Sequence, residues 1–222
     1  MKPINEIKSE AWGVLTERKW FGPIIVNIFN IFLVFMLSFV LMAMGTNNVY
    51  MTFLLELMLY VCIFVPFGMG FAIYTIKFIR GEEVSVGNVF DGYLFSLKLI
   101  PVSVIMLGIS MASNYVIGLS LSNPGDVLYR ILGLVLGVFN VFFGIVVKLS
   151  YFRIYDNNGN VFGSMMEVAA YLLRGGIVKY LLLMLSFILW ICGVAISMGM
   201  LAFLVAPYME TSAAIFYDEI DF

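Results

Sequence analysis

Long apolar runs alternate with short polar stretches along almost the whole of this 222-residue chain. Each run offers the roughly 20 residues that a helix needs to cross a bilayer core. The polar stretches hold the glycines, asparagines and charges that end helices. The pattern predicts an all-α, polytopic helical membrane protein with one transmembrane domain over 21–217. Six transmembrane helices are predicted, or alternatively five, over about 21–44, 52–79, 97–119, 128–151, 180–197 and 200–217.

The last apolar run, 180–217, is the one that allows either five or six spans. As a single span followed by a surface helix, it would leave the end of the chain outside the cell. As two short spans that turn near Ser197, Met198 and Gly199, it would bring the end back inside. The length suits two crossings and the glycine suits a turn. The sequence therefore favours the hairpin, with 218–222 as an acidic tail.

Two stretches outside the spans show the three- and four-residue spacing of an amphipathic helix. The first, within 1–20, predicts a helix on the inner membrane surface. Its apolar face comprises Ile4, Ile7, Ala11, Trp12 and Leu15. The second is 164–174, where Ser164 and Glu167 have the spacing of a capping box. Its Met- and Leu-rich face predicts either a helix on the cytoplasmic membrane surface or a loop helix packed on its own protein.

Basic residues indicate how the chain is threaded. With the N-terminus inside, eleven of the twelve Lys and Arg residues fall in cytoplasmic segments, and only Arg130 falls outside. Basic residues concentrate on the cytoplasmic side of membrane proteins. The distribution therefore predicts a multi-pass protein of the plasma membrane with a cytoplasmic N-terminus.

Composition narrows the classes of function. With 63% hydrophobic and 12% charged residues and a mean hydropathy of +1.04, the chain has too little polar surface for a soluble globule. Its net charge of −2 indicates no nucleic-acid partner and leaves the lipid bilayer as the predicted surroundings. Histidine, the commonest metal ligand and general base, does not occur. Cys62 and Cys192 lie in apolar runs and indicate packing rather than a disulfide. No metal, cofactor or catalytic residue is predicted.

Ionisable side chains inside a bilayer are costly, so they mark candidate sites. On the hairpin interpretation Glu210 lies near mid-membrane, one turn after Pro207, whose ring frees a backbone carbonyl. A carboxyl group there could carry a proton or bind a cation. Together with Pro66 and Asn140, these two residues form a candidate intramembrane polar site. If the chain ends outside, Glu210 lies on a wet surface helix instead.

Other polar residues in the spans predict packing contacts. Glu56 and Arg130 are expected near the outer ends of the second and fourth spans, as a structural ion pair or, alternatively, part of a binding site. Lys148 is predicted to extend towards the inner interface. Hydrogen bonds between helices are predicted for Asn27, Asn30, Asn114 and Asn140.

Several motifs, most of them in the last third of the chain, resemble those of a known family. They are Lys148-Leu149-Ser150-Tyr151, Asp156-Asn157, Leu172-Leu173-Arg174-Gly175, Leu185–Trp190, Ala206-Pro207-Tyr208 and Thr211–Tyr217, with Arg80-Gly81-Glu82 and Val89–Tyr93 earlier. The combination resembles a bacterial membrane family known as domain of unknown function 975, frequent in low-GC Gram-positive bacteria. That family more usually has a Thr-x-Gly-x-Gly turn where this chain has 196–200. The resemblance implies a multi-span fold in a bacterial membrane and implies no activity.

Three hypotheses for the function follow. The first is a non-enzymatic accessory, stress or immunity component that docks a membrane protein partner through its inner-surface helices. The second is a small-molecule or lipid transporter with a midplane site near Glu210. The third, an intramembrane enzyme, lacks a visible nucleophile and base in the sequence. No oligomeric state is indicated.

Overall fold

The computed structural model describes residues 2–18, 20–44, 49–123 and 126–222, and this part of the chain is helical without a β-strand. Its α-helices are α1 (Ile4–Glu17), α2 (Phe21–Met44), α3 (Val49–Leu59), α4 (Val65–Arg80), α5 (Ser96–Ser122), α6 (Val127–Asp156), α7 (Val161–Tyr171), α8 (Ile177–Leu185), α9 (Ile188–Ile196) and α10 (Ala202–Asp218). π-Helical turns at Tyr60–Phe64 and Leu172–Gly176 join α3 to α4 and α7 to α8, and a 3₁₀ helix, Val86–Phe95, precedes α5. The sequence predicts turns at 45–48 and 122–126. The first turn and residues 124–125 of the second lie outside the described residues, as does Lys19.

Five segments within the described residues are long and apolar enough to cross a membrane. They are Phe21–Val40, Leu54–Arg80, Val86–Ser122, Val127–Asp156 and Val161–Ile196. Apolar side chains on their outer faces remain exposed, as expected where helices meet lipid rather than water. The all-α, polytopic helical membrane fold is thereby confirmed.

α10 is shorter, at 17 residues, yet it lies at the centre of the bundle. The chain reverses before it, with Met198 and Gly199 in the left-handed region at φ 51° and 90°. α10 then packs against α1, α2, α4, α6 and α9. Its segment from Thr211 to Tyr217 is buried throughout. The turn that the hairpin interpretation requires is therefore present.

α4 is held against the 3₁₀ helix by an unusually close backbone contact. A side chain at Gly70 would overlap the carbonyl oxygen of Val89, and one at Gly92 would overlap the carbonyl oxygen of Pro66. Glycine alone permits this approach, as small residues do in membrane helix packing. The π-helical turn over Tyr60–Phe64 lies just before Pro66. Pro66 itself is in the first turn of α4, where its missing N–H is tolerated.

The amphipathic helix predicted over 164–174 is in fact α7 and begins earlier, at Val161. Asn160 caps it, because its side chain accepts a hydrogen bond from the Gly163 amide at 3.1 Å. The predicted capping box is therefore wrong, and Ser164 instead accepts from the Asn157 amide at 3.2 Å. α7 is followed by a kink at Gly175, whose φ is 107°. The helix is thus shifted towards the end of α6, against which it packs.

α1 packs along α10 with its apolar face. Ile7, Ala11 and Leu15 are each at most 1% exposed. At one end, Lys2 Nζ lies 2.9 Å from a carboxylate oxygen of Glu219. Further along, Lys8 Nζ donates to the Ser186 carbonyl at 2.9 Å, at the break between α8 and α9. α1 therefore forms part of the folded core.

The ends of three helices meet in what we call the Arg80 cluster, which comprises Arg80, Asp156, Tyr217 and Asp218. The Arg80 guanidinium lies 2.7 Å from Asp156 at the end of α6 and 2.7 Å from Asp218 at the end of α10. The Tyr217 hydroxyl donates to Asp156 at 2.7 Å. A guanidinium can hold two carboxylates because its donors form a planar fork. The cluster therefore sets α4, α6 and α10 in register at one end.

Candidate functional site

Lys148 of α6 and Glu210 of α10 form an ion pair, with 2.7 Å between Lys148 Nζ and Glu210 Oε1. Each lies eight residues before the end of its helix, at Asp156 and Asp218 respectively. Eight residues of helix rise about 12 Å. Because Arg80 holds the two helix ends together, side chains at the same distance from those ends come level with each other. The Arg80 cluster thus explains why these two charges meet.

The ion pair borders a cavity of about 460 Å³. Its walls are α2, α4, α6 and α10, and the π-helical turn before α4 and Met106 of α5 also contribute. Along α4 the lining runs from Val65 to Phe78, which corresponds to about 20 Å of helix. Most of the lining is aliphatic or aromatic. The cavity is therefore a long apolar slot with one pair of charges in its wall.

Both charged side chains are accessible from this slot. The Lys148 side chain is 35% exposed and the Glu210 side chain is 46% exposed. Within the described residues, Lys148 donates only to Glu210, and Glu210 accepts only through Oε1. Two ammonium protons and the second carboxylate oxygen are thus free. A ligand in the cavity can contact both charges.

Two asparagines of α2, Asn27 and Asn30, add further polar groups to the wall of the cavity. Asn27 Nδ2 donates to the Ala202 carbonyl at 3.3 Å, at the start of α10. Asn30 also lines the cavity, and it makes no hydrogen bond to another residue in the described ranges. The predicted helix-to-helix role therefore fits Asn27, whereas Asn30 has an amide available for a ligand.

The four residues of the predicted intramembrane polar site do not lie together in the structure. Glu210 and Pro207 line the cavity, whereas Pro66 and Asn140 do not. The Pro66 carbonyl instead faces Gly92. Asn140 donates to the Ser113 hydroxyl of α5 at 3.4 Å, because α5 rather than α10 packs on that part of α6. Asn140 therefore has the interhelical role that its sequence context predicted.

The structure does not bring Glu56 and Arg130 together. No ion pair within the described ranges involves either residue, and the Arg130 side chain is exposed. The physical reason lies in the packing: α3, which carries Glu56, packs chiefly on α2 and the following π-helical turn, whereas α6 packs on α5. The predicted ion pair is therefore absent from this structure.

Lys148 is the residue of the candidate site whose position sequence reasoning did not predict. We expected its ammonium group to extend to the inner interface, but it turns towards Glu210. The available signal was a single basic residue inside the apolar part of α6 and a single acidic residue inside that of α10. Opposite charges in separate spans pair when packing allows it, and only the tertiary structure supplied that packing.

Among the described residues, no group of three or more His, Cys, Asp or Glu side chains is arranged to hold a metal ion. Cys62 and Cys192 are free and exposed, and neither lines the cavity. Comparisons with protein-family models, curated proteins and solved structures found no match. The resemblance to the domain of unknown function therefore stays a prediction, and the site is interpreted from its own geometry.

Proposed function

We propose that this protein binds an amphipathic small molecule or lipid in the slot between α2, α4, α6 and α10, and carries or presents it within the membrane. The observation that carries the proposal is the accessible Lys148–Glu210 pair in the wall of a long apolar cavity. Ligand sites of membrane carriers combine such apolar walls with a few polar groups near the bilayer centre. The proposed role involves no covalent chemistry, and the lining contains neither histidine nor cysteine.

Filling the cavity tests this function. Gly144 lines the slot, and a Cβ built there has no neighbour within 4 Å, so Gly144→Phe places a ring in the cavity. We expect at least a tenfold loss of co-purifying lipid or amphiphile, measured by native mass spectrometry in detergent. The matched control is Gly137→Phe, seven residues earlier on α6, equally open but outside the lining. Equal ligand retention by the two variants would contradict the proposal.

We place both ends of the described chain on the cytoplasmic side of a bacterial plasma membrane. Lys2 and Glu219 are in contact, so the two ends share one side of the bundle whatever its orientation. Arg80 and Arg153 lie at the same ends of their helices, and the distribution of basic residues supports the cytoplasmic assignment.

Single cysteines at Ser9 and Phe222, in a chain with Cys62→Ser and Cys192→Ser, test this placement. We expect both to react with an impermeant maleimide only after the cells are opened. Labelling of either cysteine in intact cells would contradict it.

Docking of a membrane protein partner is the second candidate function, and it now depends on α7 because the apolar face of α1 is covered by α10. Phe162 and Met166 on α7 are 58% and 73% exposed. A photo-crosslinking residue at Met166 would capture a protein partner if this role is correct, and only lipid if it is not.

A further inference from the structure

The charges in the cavity wall narrow the class of ligand, on the condition that the proposed function is correct. Among the described residues that line the slot, Lys148 is the one cation and Glu210 the one anion. Their charges sum to zero, and their atoms are 2.7 Å apart. The free ammonium protons and the free carboxylate oxygen therefore lie side by side.

A ligand with a single charge would match only half of this pair. An anion would draw Lys148 away from Glu210 and leave the carboxylate unpaired, and a cation would do the reverse. Breaking such a pair is strongly unfavourable, because it leaves one charge without a partner in a site with little water. A head group with both an ammonium and an anionic group can satisfy both residues at once.

The shape of the cavity indicates what is attached to that head group. The whole slot is about 20 Å long beside α4, and it passes the apolar side chains of Phe64, Phe71 and Phe78. A small soluble zwitterion would leave this length unfilled, whereas an acyl chain would fill it. An acyl chain in the slot makes van der Waals contacts along its apolar walls, and the head group supplies selectivity.

We propose that the slot binds an amphiphile with a zwitterionic head group of the aminophosphate type, whose ammonium group contacts Glu210 and whose phosphate contacts Lys148. Asn30, which has no partner in the described ranges, faces the same cavity and can donate its amide to the head group.

Competition between lipids of different charge tests the proposal. The full chain in detergent is loaded with a fluorescent single-chain lipid, which is then displaced by lysophosphatidylethanolamine, lysophosphatidylglycerol or a single-chain trimethylammonium amphiphile. We expect wild type to prefer the zwitterionic lipid at least tenfold. Equal displacement by all three amphiphiles would overturn the head-group assignment. Displacement by free phosphoethanolamine at equal concentration would overturn the assignment of an acyl chain.

Charge variants make the test specific to this pair. With Glu210→Gln we expect the preference to shift to the anionic lipid, and with Lys148→Met to the cationic one. The double variant removes both charges without leaving either unpaired, so it is expected to bind all three lipids without preference. Lys179→Met, at an exposed lysine outside the cavity, is the control and should behave as wild type. Unchanged preferences in both single variants would overturn the proposal.

Failure of the proposed function gives a different result from failure of this inference. If no amphiphile occupies the slot, Gly144→Phe leaves fluorescent-lipid binding unchanged. If an amphiphile does occupy it but the head group is not zwitterionic, Gly144→Phe abolishes binding while wild type shows no preference for the zwitterionic lipid.

Discussion

Gly70 and Gly92 show how single residues determine the packing around the cavity. Each lies where another segment's carbonyl oxygen occupies the space that a side chain would need. The contact fixes the 3₁₀ helix against α4, and α4 lines the slot from Val65 to Phe78. The shape of the slot therefore depends on residues that do not line it.

Gly70→Ala is expected to destabilise the protein by about 3 kcal/mol or more, because its methyl group overlaps backbone that cannot move aside. The thermal midpoint in detergent, followed by size-exclusion chromatography of heated samples, measures the effect. Gly108→Ala in α5 is the control, since a Cβ there meets nothing within 4 Å. We expect the control to be neutral or more stable by up to about 1 kcal/mol, as alanine favours helix. Similar midpoints for the two variants would show that the backbone contact does not form.

At the level of elements, α1 is held against α10 by an ion pair near its start and by aromatic packing near its middle. Lys2 lies 2.9 Å from both Glu10 and Glu219. Trp12 packs edge-on against Tyr208, with 5.6 Å between ring centroids. The Lys2 ammonium lowers the pKa of Glu219, and the two carboxylates raise the pKa of Lys2.

The docking of α1 is therefore expected to be sensitive to acid. The folded pKa of Glu219 is depressed, so its contribution is present above the unfolded pKa and is lost as pH falls through the folded value. The stabilisation that Glu219 contributes is therefore lost below about pH 4. Lys2 keeps its charge throughout, because its raised pKa moves its own loss to more alkaline pH. In a variant that keeps Trp12 as its single tryptophan, with Trp20→Phe and Trp190→Phe, we expect tryptophan emission to be constant from pH 8 to 5 and to change below that range. Glu219→Gln should remove the change, and an identical acid transition in the variant would assign it to other groups.

The helices of this fold could be predicted from the sequence wherever a long hydrophobic run is enough to specify a helix. α2, α5 and α6 cover long apolar runs, and a run of that length has no alternative to a helix in lipid. The 3₁₀ helix at Val86–Phe95 could not be predicted in this way. It is stabilised by its contact with Gly70, a tertiary feature that no local pattern encodes.

Half of the candidate site could likewise be predicted. Glu210 and Pro207 were identifiable because a carboxylate and a proline are conspicuous in an apolar run. The partner of Glu210 was not identifiable, since the register between α6 and α10 depends on the Arg80 cluster. Asn140 and Pro66 were grouped with them as a midplane site on the broken-helix pattern of transport sites, and that pattern does not specify which face of a helix a residue occupies.

At the scale of the whole molecule, the arrangement of the helices around the cavity depends on the Arg80 cluster. It binds the ends of three of the four helices that wall the slot. Its hydrogen bonds connect residues 76 and 138 positions apart in the chain. Weakening the Arg80 cluster should disturb the Lys148–Glu210 pair, although the cluster does not contact that pair directly.

Arg80→Lys keeps the charge but replaces the planar fork with a single ammonium group. We expect a loss of about 1–2 kcal/mol, since these charged hydrogen bonds are partly exposed. At about 2–4 °C per kcal/mol for a chain of this size, the thermal midpoint should fall by several degrees. Arg174→Lys, an exposed arginine after α7, is the control and should have little effect. Equal midpoints would indicate that the fork geometry contributes nothing.

The contact between Lys2 and Glu219 joins residues 217 positions apart, and this has a consequence for biosynthesis. At the usual 5–20 residues per second, the ribosome needs on the order of ten seconds or more to reach α10 after α1 has emerged. During that interval Ile7, Ala11 and Leu15 have no helix to cover them and are available to chaperones or to the lipid surface. A chain truncated before α10 would keep that face uncovered, so the synthesis of α10 completes the burial of α1.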